Sequence, residues 1–289
     1  MKKIYKIIIS LLFLLIIVGD KYEEPLLTVY FFDVGQGDCA FLRLPNGENM
    51  LIDCGNTADG SRIVNRLSFM GVKKIDHLVI THPHEDHIGG ADNIINSFNI
   101  KNVYTPHIKD GILYPTLCSM EFDNSIKRQG LYTKTLSFGK TIIKDGFLEI
   151  VCLSPINEDY EELNEYSAVL QVSFYERTFL FMADAEKINE KEMLSLGVLP
   201  DCDLIKIGHH GSKTSSTEKF IKTTAPEYAI ISVGGNNTFG HPDKKVLLRL
   251  YRSGAAVYRT DLSGTIIAEC DGRSIKIHTA DICLDGDIY

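Results

Sequence analysis

The 289-residue sequence lacks the features of several protein classes. Its seven cysteines are scattered and form no C-x-x-C pair, so small buried side chains are expected rather than a disulfide framework. No apolar run reaches the roughly 20 residues that a membrane-spanning helix needs, which excludes a multi-span membrane protein. Basic residues are in deficit, and the net charge of −8 disfavours simple coating of nucleic acid. An enzyme with a local basic patch stays compatible with this balance.

Residues 26–280 contain no Ser-, Pro- or Gly-rich linker and no repeat of fixed period. Apolar residues make up 44% and charged residues 24% of the chain, which are ordinary globular values. Length alone would allow two domains. Without a linker, we predict a single domain over residues 26–289.

The first 25 residues have a different character. Lys2, Lys3 and Lys6 precede an apolar run over residues 7–18, the pattern of an export signal. The cleavage pattern after Val18 is poor, and no cysteine follows for lipid attachment. We therefore expect residues 1–25 to be a signal peptide or an uncleaved membrane anchor with its linker. Either one predicts an exported protein, at the extracellular face of the cell membrane or secreted.

Short strands and helices alternate along the rest of the chain. Apolar periodicity predicts strands over residues 27–33, 39–44 and 49–54, and a helix over residues 61–70. Two such halves, meeting near residue 160, would stack two sheets between outer helices. Residues 106–128 show no clear periodicity and are predicted to form an insertion or loop near the functional site.

Residues 81–87, Thr-His-Pro-His-Glu-Asp-His, carry the strongest chemical signal. His82, His84, Asp86 and His87 supply four nitrogen and oxygen donors in six residues, a set that suits zinc or manganese. A second histidine pair, residues 209–210, also follows a predicted strand, so two loops hold five of the nine histidines. We expect His82 and His84 to face one cation and Asp86 and His87 to face a second.

The spacing His82-x-His84-x-Asp86-His87 resembles the signature of the metallo-β-lactamase superfamily, which implies an αββα sandwich of two mixed sheets between outer helices. Further motifs, in the same order, resemble the ComEC-like competence branch of that superfamily, and they cover about residues 28–280. These motifs are Phe32-Asp33-Val34-Gly35-Gln36-Gly37-Asp38, Leu51-Ile52-Asp53-Cys54-Gly55, Asn164-x-x-Ser167-x-Val169-Leu170, Ala183-Asp184, His209-His210-Gly211-Ser212 and Gly240-His241-Pro242. The chain is thus expected to be a stand-alone hydrolase domain without the large membrane channel.

The resemblance implies roles for residues outside the first loop. Asp184 would bridge the two cations, although a helix N-cap is the alternative role. One of His209 and His210 would complete the ligands of the second cation. We favour His209 as the ligand, which leaves His210 to position substrate or donate a proton. His241 is expected near the site, where it would donate to an anion, although a turn residue before Pro242 is the alternative role.

Two further pairs of residues, Asp33 with Asp53 and Asn164 with Ser167, bear on the expected metal ligands. Asp33 and Asp53 resemble positions that orient histidine rings, and plain turn formers are the alternative. Many superfamily members place another histidine ligand on the strand before the bridging aspartate. Here that region offers Asn164 and Ser167, which are weak ligands. We therefore expect the first cation to be weakly held.

The resemblance implies a hydrolase with two divalent metal ions that attacks with a hydroxide held between them. Zinc is the expected metal, and manganese is the alternative. Asp86, His210 and His241 form the expected catalytic set. Residues 201–260 hold nine basic and five acidic residues, which favours a phosphodiester, possibly DNA, as substrate. No protein partner is indicated. The alternatives are a phosphorylcholine esterase or lactonase of the same fold, and a non-catalytic subunit of a DNA-uptake machine.

Overall fold

The computed structural model describes residues 26–112 and 115–280. The predicted export segment, residues 1–25, lies outside these residues, as does the acidic tail at 281–289. Within the described ranges, no helix is long and apolar enough to cross a membrane.

The first sheet has eight strands in the order β15-β14-β1-β2-β3-β4-β5-β6. Its strands are β1 (Leu27–Phe31), β2 (Ala40–Arg43), β3 (Asn49–Ile52), β4 (Lys74–Val79), β5 (Asn99–Pro106), β6 (Thr133–Leu136), β14 (Thr265–Cys270) and β15 (Ile275–Ala280). Strands β3 to β6 run parallel, and the others pair antiparallel. Because β4 is a central parallel strand, it carries the loop at its carboxyl end to one edge of the sheet.

The second sheet has seven strands in the order β13-β12-β11-β10-β9-β8-β7. Its strands are β7 (Thr141–Asp145), β8 (Leu148–Ser154), β9 (Val169–Phe174), β10 (Arg177–Phe181), β11 (Leu204–Lys206), β12 (Tyr228–Ile231) and β13 (Ala256–Arg259). Strands β10 to β13 are parallel. The loops after β10, β11 and β12 therefore emerge at the same edge.

Helices cover the outer faces of both sheets. They are α1 (Gly60–Phe69), α2 (Glu85–Ile88), α3 (Ala91–Ser97), α4 (Leu117–Arg128), α5 (Lys187–Leu196), α6 (Glu218–Thr224), α7 (Lys244–Ser253) and α8 (Thr260–Ser263). One apolar cluster fills the space between the sheets, where the rings of Phe31 and Phe181 stack with centroids 5.8 Å apart. A second cluster lies under α1, α3 and α4, and a third under α5 to α7. These layers confirm the αββα sandwich.

The predicted loop over residues 106–128 is wrong in its second half, where α4 forms. Thr116 caps this helix, because its hydroxyl accepts a hydrogen bond from the Ser119 amide at 3.3 Å. Cys118, Phe122 and Ile126 recur every fourth residue and are buried against the first sheet. The helical period was hidden by the polar residues between them. Its expected position near the site is confirmed, since Phe122 lines a cleft together with His82.

All six cysteines in the described part of the chain are buried free thiols. This confirms the small apolar role predicted from their scatter. Burial raises the pKa of the Cys152 and Cys202 thiols to about 12. Cys283 lies outside the described residues.

Candidate metal centre

The first histidine loop begins directly after β4 and turns into the short helix α2. The amides of His87 and Ile88 both donate to the His84 carbonyl at 3.0 Å, which folds the motif back on itself. Gly89 follows because a side chain has no room there. A Cβ on this residue would lie 2.2 Å from the Thr57 backbone nitrogen. Tight packing against residues 56–57 thus fixes the loop that carries the ligands.

The second set of donors comes from the other sheet. Asp184 follows β10, and His209 and His210 follow β11. Both histidines have left-handed backbones, with φ of 48° and 51°, a conformation that costs non-glycine residues energy. The His209 amide donates to the Ala183 carbonyl at 2.9 Å, so the two loops are joined. Loops from both sheets meet at this edge.

Four side chains form one compact group, Asp86, His87, Asp184 and His210, whose donor atoms all lie within 4.8 Å of one another. His210 Nε2 lies 3.1 Å from Asp86 Oδ2 and 3.5 Å from Asp184 Oδ1. His87 Nε2 lies 3.3 Å from Asp184 Oδ1. Two imidazoles and two carboxylates around one point are a ligand set that suits zinc or manganese.

This group fits a cation because two of its buried donor atoms form no hydrogen bond among the described residues. His87 Nε2 and Asp184 Oδ1 are both buried and lie 3.3 Å apart, and neither is counted in a hydrogen bond with any residue of the described structure. A buried polar atom without a partner costs roughly 1–3 kcal/mol. A cation at this position would satisfy both atoms at once.

The other oxygen of Asp184 faces a different set of histidines. His82 Nε2 lies 3.9 Å from Asp184 Oδ2 and 3.0 Å from His84 Nδ1. His209 Nε2 lies 3.7 Å from the same Asp184 oxygen. The carboxylate of Asp184 thus stands between the two groups, which is the arrangement that a bridging ligand needs. Its predicted role as a bridge has the expected geometry.

In the structure, His210 occupies the place that was expected for His209. His210, rather than His209, joins the compact group with Asp86 and His87. His209 turns toward Asp184 Oδ2, and its Nδ1 lies 3.1 Å from Glu186 Oε1. The preference for His209 as the ligand of the second cation is therefore not what the geometry favours. Two adjacent histidines in left-handed conformations point in different directions, and the sequence carries no sign of which is which.

Asn164 and Ser167 lie in the region where many superfamily members place a further histidine ligand. Asn164 Nδ2 lies 3.4 Å from His209 Nδ1. Asn164 Oδ1 and Ser167 Oγ are buried and have no hydrogen-bond partner among the described residues. The side of Asp184 that faces His82 and His209 therefore has two spare but weak oxygen donors.

Asp53 and Asp33 have separate roles. Asp53 is buried, and its Oδ2 lies 2.8 Å from His87 Nδ1, while Thr81 donates to it through both amide and hydroxyl. This fixes the ring of His87 and leaves its Nε2 aimed at Asp184, as expected for an orienting carboxylate. Asp33 accepts a hydrogen bond from the Gly35 amide at 3.0 Å and acts as a turn former.

Sequence reasoning missed three charged residues beside the centre. Asp38 and Lys206 form a buried ion pair that joins the two sheets, and Asp38 Oδ1 lies 3.5 Å from His210 Nδ1. Glu186 holds His209. A signal was present for Lys206, because a lysine in an otherwise apolar strand just before a histidine loop needs a buried partner. Asp38 ends the motif over residues 32–38, which by itself indicates no role for this carboxylate.

His241 lies beside the centre, with its ring centroid 5.6 Å from that of His209. Asn237 fixes its backbone, since it accepts from the His241 amide at 2.9 Å and donates to the His241 carbonyl at 2.8 Å. Burial, together with the neighbouring His209 and His210 rings, lowers the pKa of the half-buried His241 ring. The expected place of this residue thus agrees with the structure.

The charges of the centre are strongly coupled. Burial opposes ionisation of Asp86 and Asp184, but the adjacent His87 and His210 outweigh it and hold the pKa of both carboxyls below the usual range. The same carboxylates overcome burial of His87 and His210 and raise the pKa of both rings. By contrast, burial and His87 lower the pKa of His82. A cation binding here would displace protons from His87 and His210, so its affinity should rise with pH.

Comparison with known proteins identifies the class. The model of the metallo-beta-lactamase superfamily matches residues 32–235, and the chain belongs to this superfamily. Within it, the chain is 32% identical over 256 residues to ComE operon protein 3 of Bacillus subtilis strain 168, covering 82% of this chain and 32% of that protein. It is 31% identical over 264 residues to Recombination protein 2 of Haemophilus influenzae, covering 89% and 31%. The resemblance to the competence branch is thereby confirmed. The chain spans about one third of the length of these curated relatives.

Solved structures support the same fold. CmlA, a diiron β-hydroxylase from Streptomyces venezuelae, matches with a TM-score of 0.56 and 18% identity, over 88% of this chain and 54% of that one. Igni18, a metallo hydrolase from Ignicoccus hospitalis, matches with a TM-score of 0.51 and 16% identity, over 84% and 98%. Identities this low establish the shared fold alone.

Proposed function

We propose that this chain is a hydrolase that uses two divalent cations to cleave phosphodiester bonds, with nucleic acid as the substrate class. The observation that carries the proposal is the placement of Asp184 between two groups of donors, with its Oδ1 and His87 Nε2 buried and without hydrogen-bond partners. Asp86, His87 and His210 would hold one cation, and His82 and His84 the other. Zinc is the expected metal, with manganese as the alternative.

Bound divalent cations supply Lewis acidity, which lowers the pKa of water toward neutrality and stabilises charge on a phosphoryl group. The chain's own residues provide orientation. Asp53 fixes the ring of His87, and Glu186 fixes the ring of His209. His241, half-buried beside His209, would bind a phosphate oxygen or give a proton to the leaving group.

A cleft of about 260 Å³ opens beside His82 and offers room for the group attached to the scissile phosphate. Its walls include Phe122 and the three threonines at 105, 133 and 135. The carboxylate of Asp123 and the ring of His107 also line it, so the cleft suits a neutral sugar or base rather than another phosphate. No lysine or arginine lines the cleft in the described structure, so any further phosphates would lie outside it.

We propose an exported location, at the extracellular face of the membrane or free of it, from the basic and apolar pattern of residues 1–18. The substrate would then be met outside the cytoplasm.

A non-catalytic role in DNA uptake is the second candidate. Asn164 and Ser167, in place of a further histidine, favour it by weakening one cation position.

The decisive experiment compares the purified full chain with Asp184→Asn and with His278→Gln, which alters a histidine remote from the centre. Each protein is assayed for bound zinc and manganese and for cleavage of bis-nitrophenyl phosphate, single-stranded DNA and a lactam. We expect Asp184→Asn to reduce the rate of phosphodiester cleavage by more than about 10–100-fold. That range is typical when a residue hydrogen-bonded to a metal ligand is replaced. The histidine control should retain it. Unchanged turnover in Asp184→Asn would refute the proposal, and bound metal without any cleavage would favour the non-catalytic candidate.

A second experiment separates the two adjacent histidines. His210→Ala and His209→Ala are compared by metal content and by melting temperature with and without added zinc. We expect His210→Ala to lose more metal, because only His210 belongs to the compact donor group. A larger loss in His209→Ala would restore the assignment predicted from the sequence.

A further inference from the structure

A basic groove lies between helices α6 and α7, on the outer face of the second sheet. It has a volume of about 360 Å³. Its walls are Glu218, Ile221, Lys222 and Ala225 on α6 and its C-terminal end, and Arg249, Arg252 and Ser253 on α7. We call it the α6–α7 groove. The α6 positions recur at three- and four-residue spacing, which places them on one helix face.

The charge of these helices opposes that of the whole chain. Helices α6 and α7 together carry six basic residues and one acidic residue, Glu218, in a protein of net charge −8. Lys222 and Arg252 are exposed, and neither forms an ion pair with a carboxylate among residues 26–112 and 115–280. Their charge is therefore available to an anion from solution.

Contacts connect this groove to the metal centre. The Arg249 guanidinium donates through Nη1 to the carbonyls of Ser216 at 2.9 Å and Ser215 at 3.4 Å. The Ser215 hydroxyl donates to the carbonyl of Gly208, the residue before His209, at 2.7 Å. One wall of the groove is thus joined to the loop that carries the second histidine pair.

The other end of α7 is tied to the same loop. The amide of Asp243, which caps α7, donates to the Gly211 carbonyl at 2.9 Å. Helix α6 also begins close by in sequence, at Glu218, eight residues after His210. Both helices thus start beside the metal centre and lead away from it.

Helix α7 also exposes apolar surface. Tyr251 is 81% exposed and Leu248 is 46% exposed; neither lines the α6–α7 groove, and Tyr251 lies next to Arg252 in the sequence. An exposed aromatic side chain among basic ones is the combination that binds unpaired bases by stacking while cations track the backbone. Duplex DNA, with its bases already stacked, would not use Tyr251 in this way.

We propose that the α6–α7 groove binds the phosphate backbone of single-stranded nucleic acid and leads the strand toward the metal centre. The identity of this ligand rests on the proposed function. Lys222 and Arg252 contact phosphates, Tyr251 stacks on a base, and Arg249 holds the groove to the histidine loop. The groove extends the binding surface beyond the small cleft beside His82, which suits a polymer.

The test measures binding of a fluorescent 20-nucleotide single strand in EDTA, with Asp184→Asn as the background so that no cleavage occurs. The variant Lys222→Glu/Arg252→Glu is compared with Lys127→Glu/Lys140→Glu, which makes the same charge change at exposed positions away from the groove. We expect the groove variant to bind at least 10-fold more weakly. The slope of log affinity against log salt should fall by about 1.4, since single strands give about 0.7 per phosphate contact. The control should stay within about twofold of its parent.

Cleavage of bis-nitrophenyl phosphate separates this proposal from the proposed function. In the otherwise native chain, the groove variant should cleave this small substrate normally and single-stranded DNA with a raised KM. If the native chain cleaves neither substrate, the proposed function is refuted. If the groove variant still binds the single strand more weakly than the control variant, the groove remains a binding site. Equal binding by the groove and control variants would overturn the groove proposal. So would binding to anionic phosphatidylglycerol vesicles without binding to the oligonucleotide.

Discussion

The buried ion pair between Lys206 and Asp38 makes a sharp prediction about stability. Lys206 is 4% exposed and Asp38 is 5% exposed, and the pair links β11 of one sheet to the loop before β2 of the other. The substitution Lys206→Met removes the ammonium group but keeps most of the side-chain volume. Asp38 then loses its ammonium partner and keeps only the more distant rings of His210 and His87, at 3.5 and 3.9 Å, while its Oδ1 already lacks a hydrogen bond.

Breaking a buried pair from one side costs about 3–5 kcal/mol, because the remaining charge stays desolvated. That is a large fraction of the roughly 5–15 kcal/mol by which domains are stable. We expect Lys206→Met to lower the free energy of unfolding by this amount. Lys144→Met is the control, since Lys144 pairs with Glu149 at 2.7 Å and both side chains are exposed, at 73% and 42%. An exposed pair contributes at most about 1 kcal/mol.

The measurement is urea unfolding followed by far-UV circular dichroism, because the chain has no tryptophan to report by fluorescence. EDTA is present throughout, so that lost metal does not add to the change. The double variant Asp38→Asn/Lys206→Met should recover part of the loss, since it removes the unpaired charge. The reasoning is refuted if Lys206→Met unfolds within about 1 kcal/mol of the wild type, or if the double variant is no more stable than the single one.

Three further outcomes follow from the structure. Glu48 is half-buried, and hydrogen bonds from His77 and Lys101 outweigh its desolvation and lower its pKa to about 2. A lowered carboxyl pKa stabilises the folded state above pH 4.5, and this contribution is lost as pH falls toward 2. Solvent screening limits this stabilisation to below about 1 kcal/mol. Glu48→Gln should therefore unfold as easily as wild type near pH 2 and slightly more easily at pH 6. Equal stability of the two proteins at pH 6 would contradict this. Thr116→Ala removes the cap of α4 and should cost about 0.5–2 kcal/mol in urea unfolding, and no change would mean that packing alone holds the helix. Asp53→Asn should weaken zinc binding roughly 10–100-fold in a competition titration, because the ring of the adjacent histidine loses its orienting carboxylate; unaltered affinity would exclude that role.

Local patterns in the sequence determined most of the fold and the first histidine loop. Donor spacing in residues 81–87 is a property of a few adjacent residues, so the amino-acid order alone predicts His82, His84, Asp86 and His87 as candidate metal ligands. The alternation of strands and helices follows from apolar periods of two and 3.6 residues. Helix α4 was not predicted because a single buried stripe in a polar segment gives a weak helical period.

Tertiary structure alone decided which side chains meet across the sandwich. The roles of His209 and His210 depend on two left-handed backbone conformations and on the partners that each ring finds, Glu186 for one and Asp86 for the other. Asp38 and Lys206 are 168 residues apart, and no local pattern joins them. Composition gave the basic surplus of residues 201–260, but only the packing of α6 against α7 gathers part of it into a groove. The sequence sets local conformation and available chemistry, while positions in space depend on how separate strands and helices pack, because burial rewards contacts regardless of their distance along the chain.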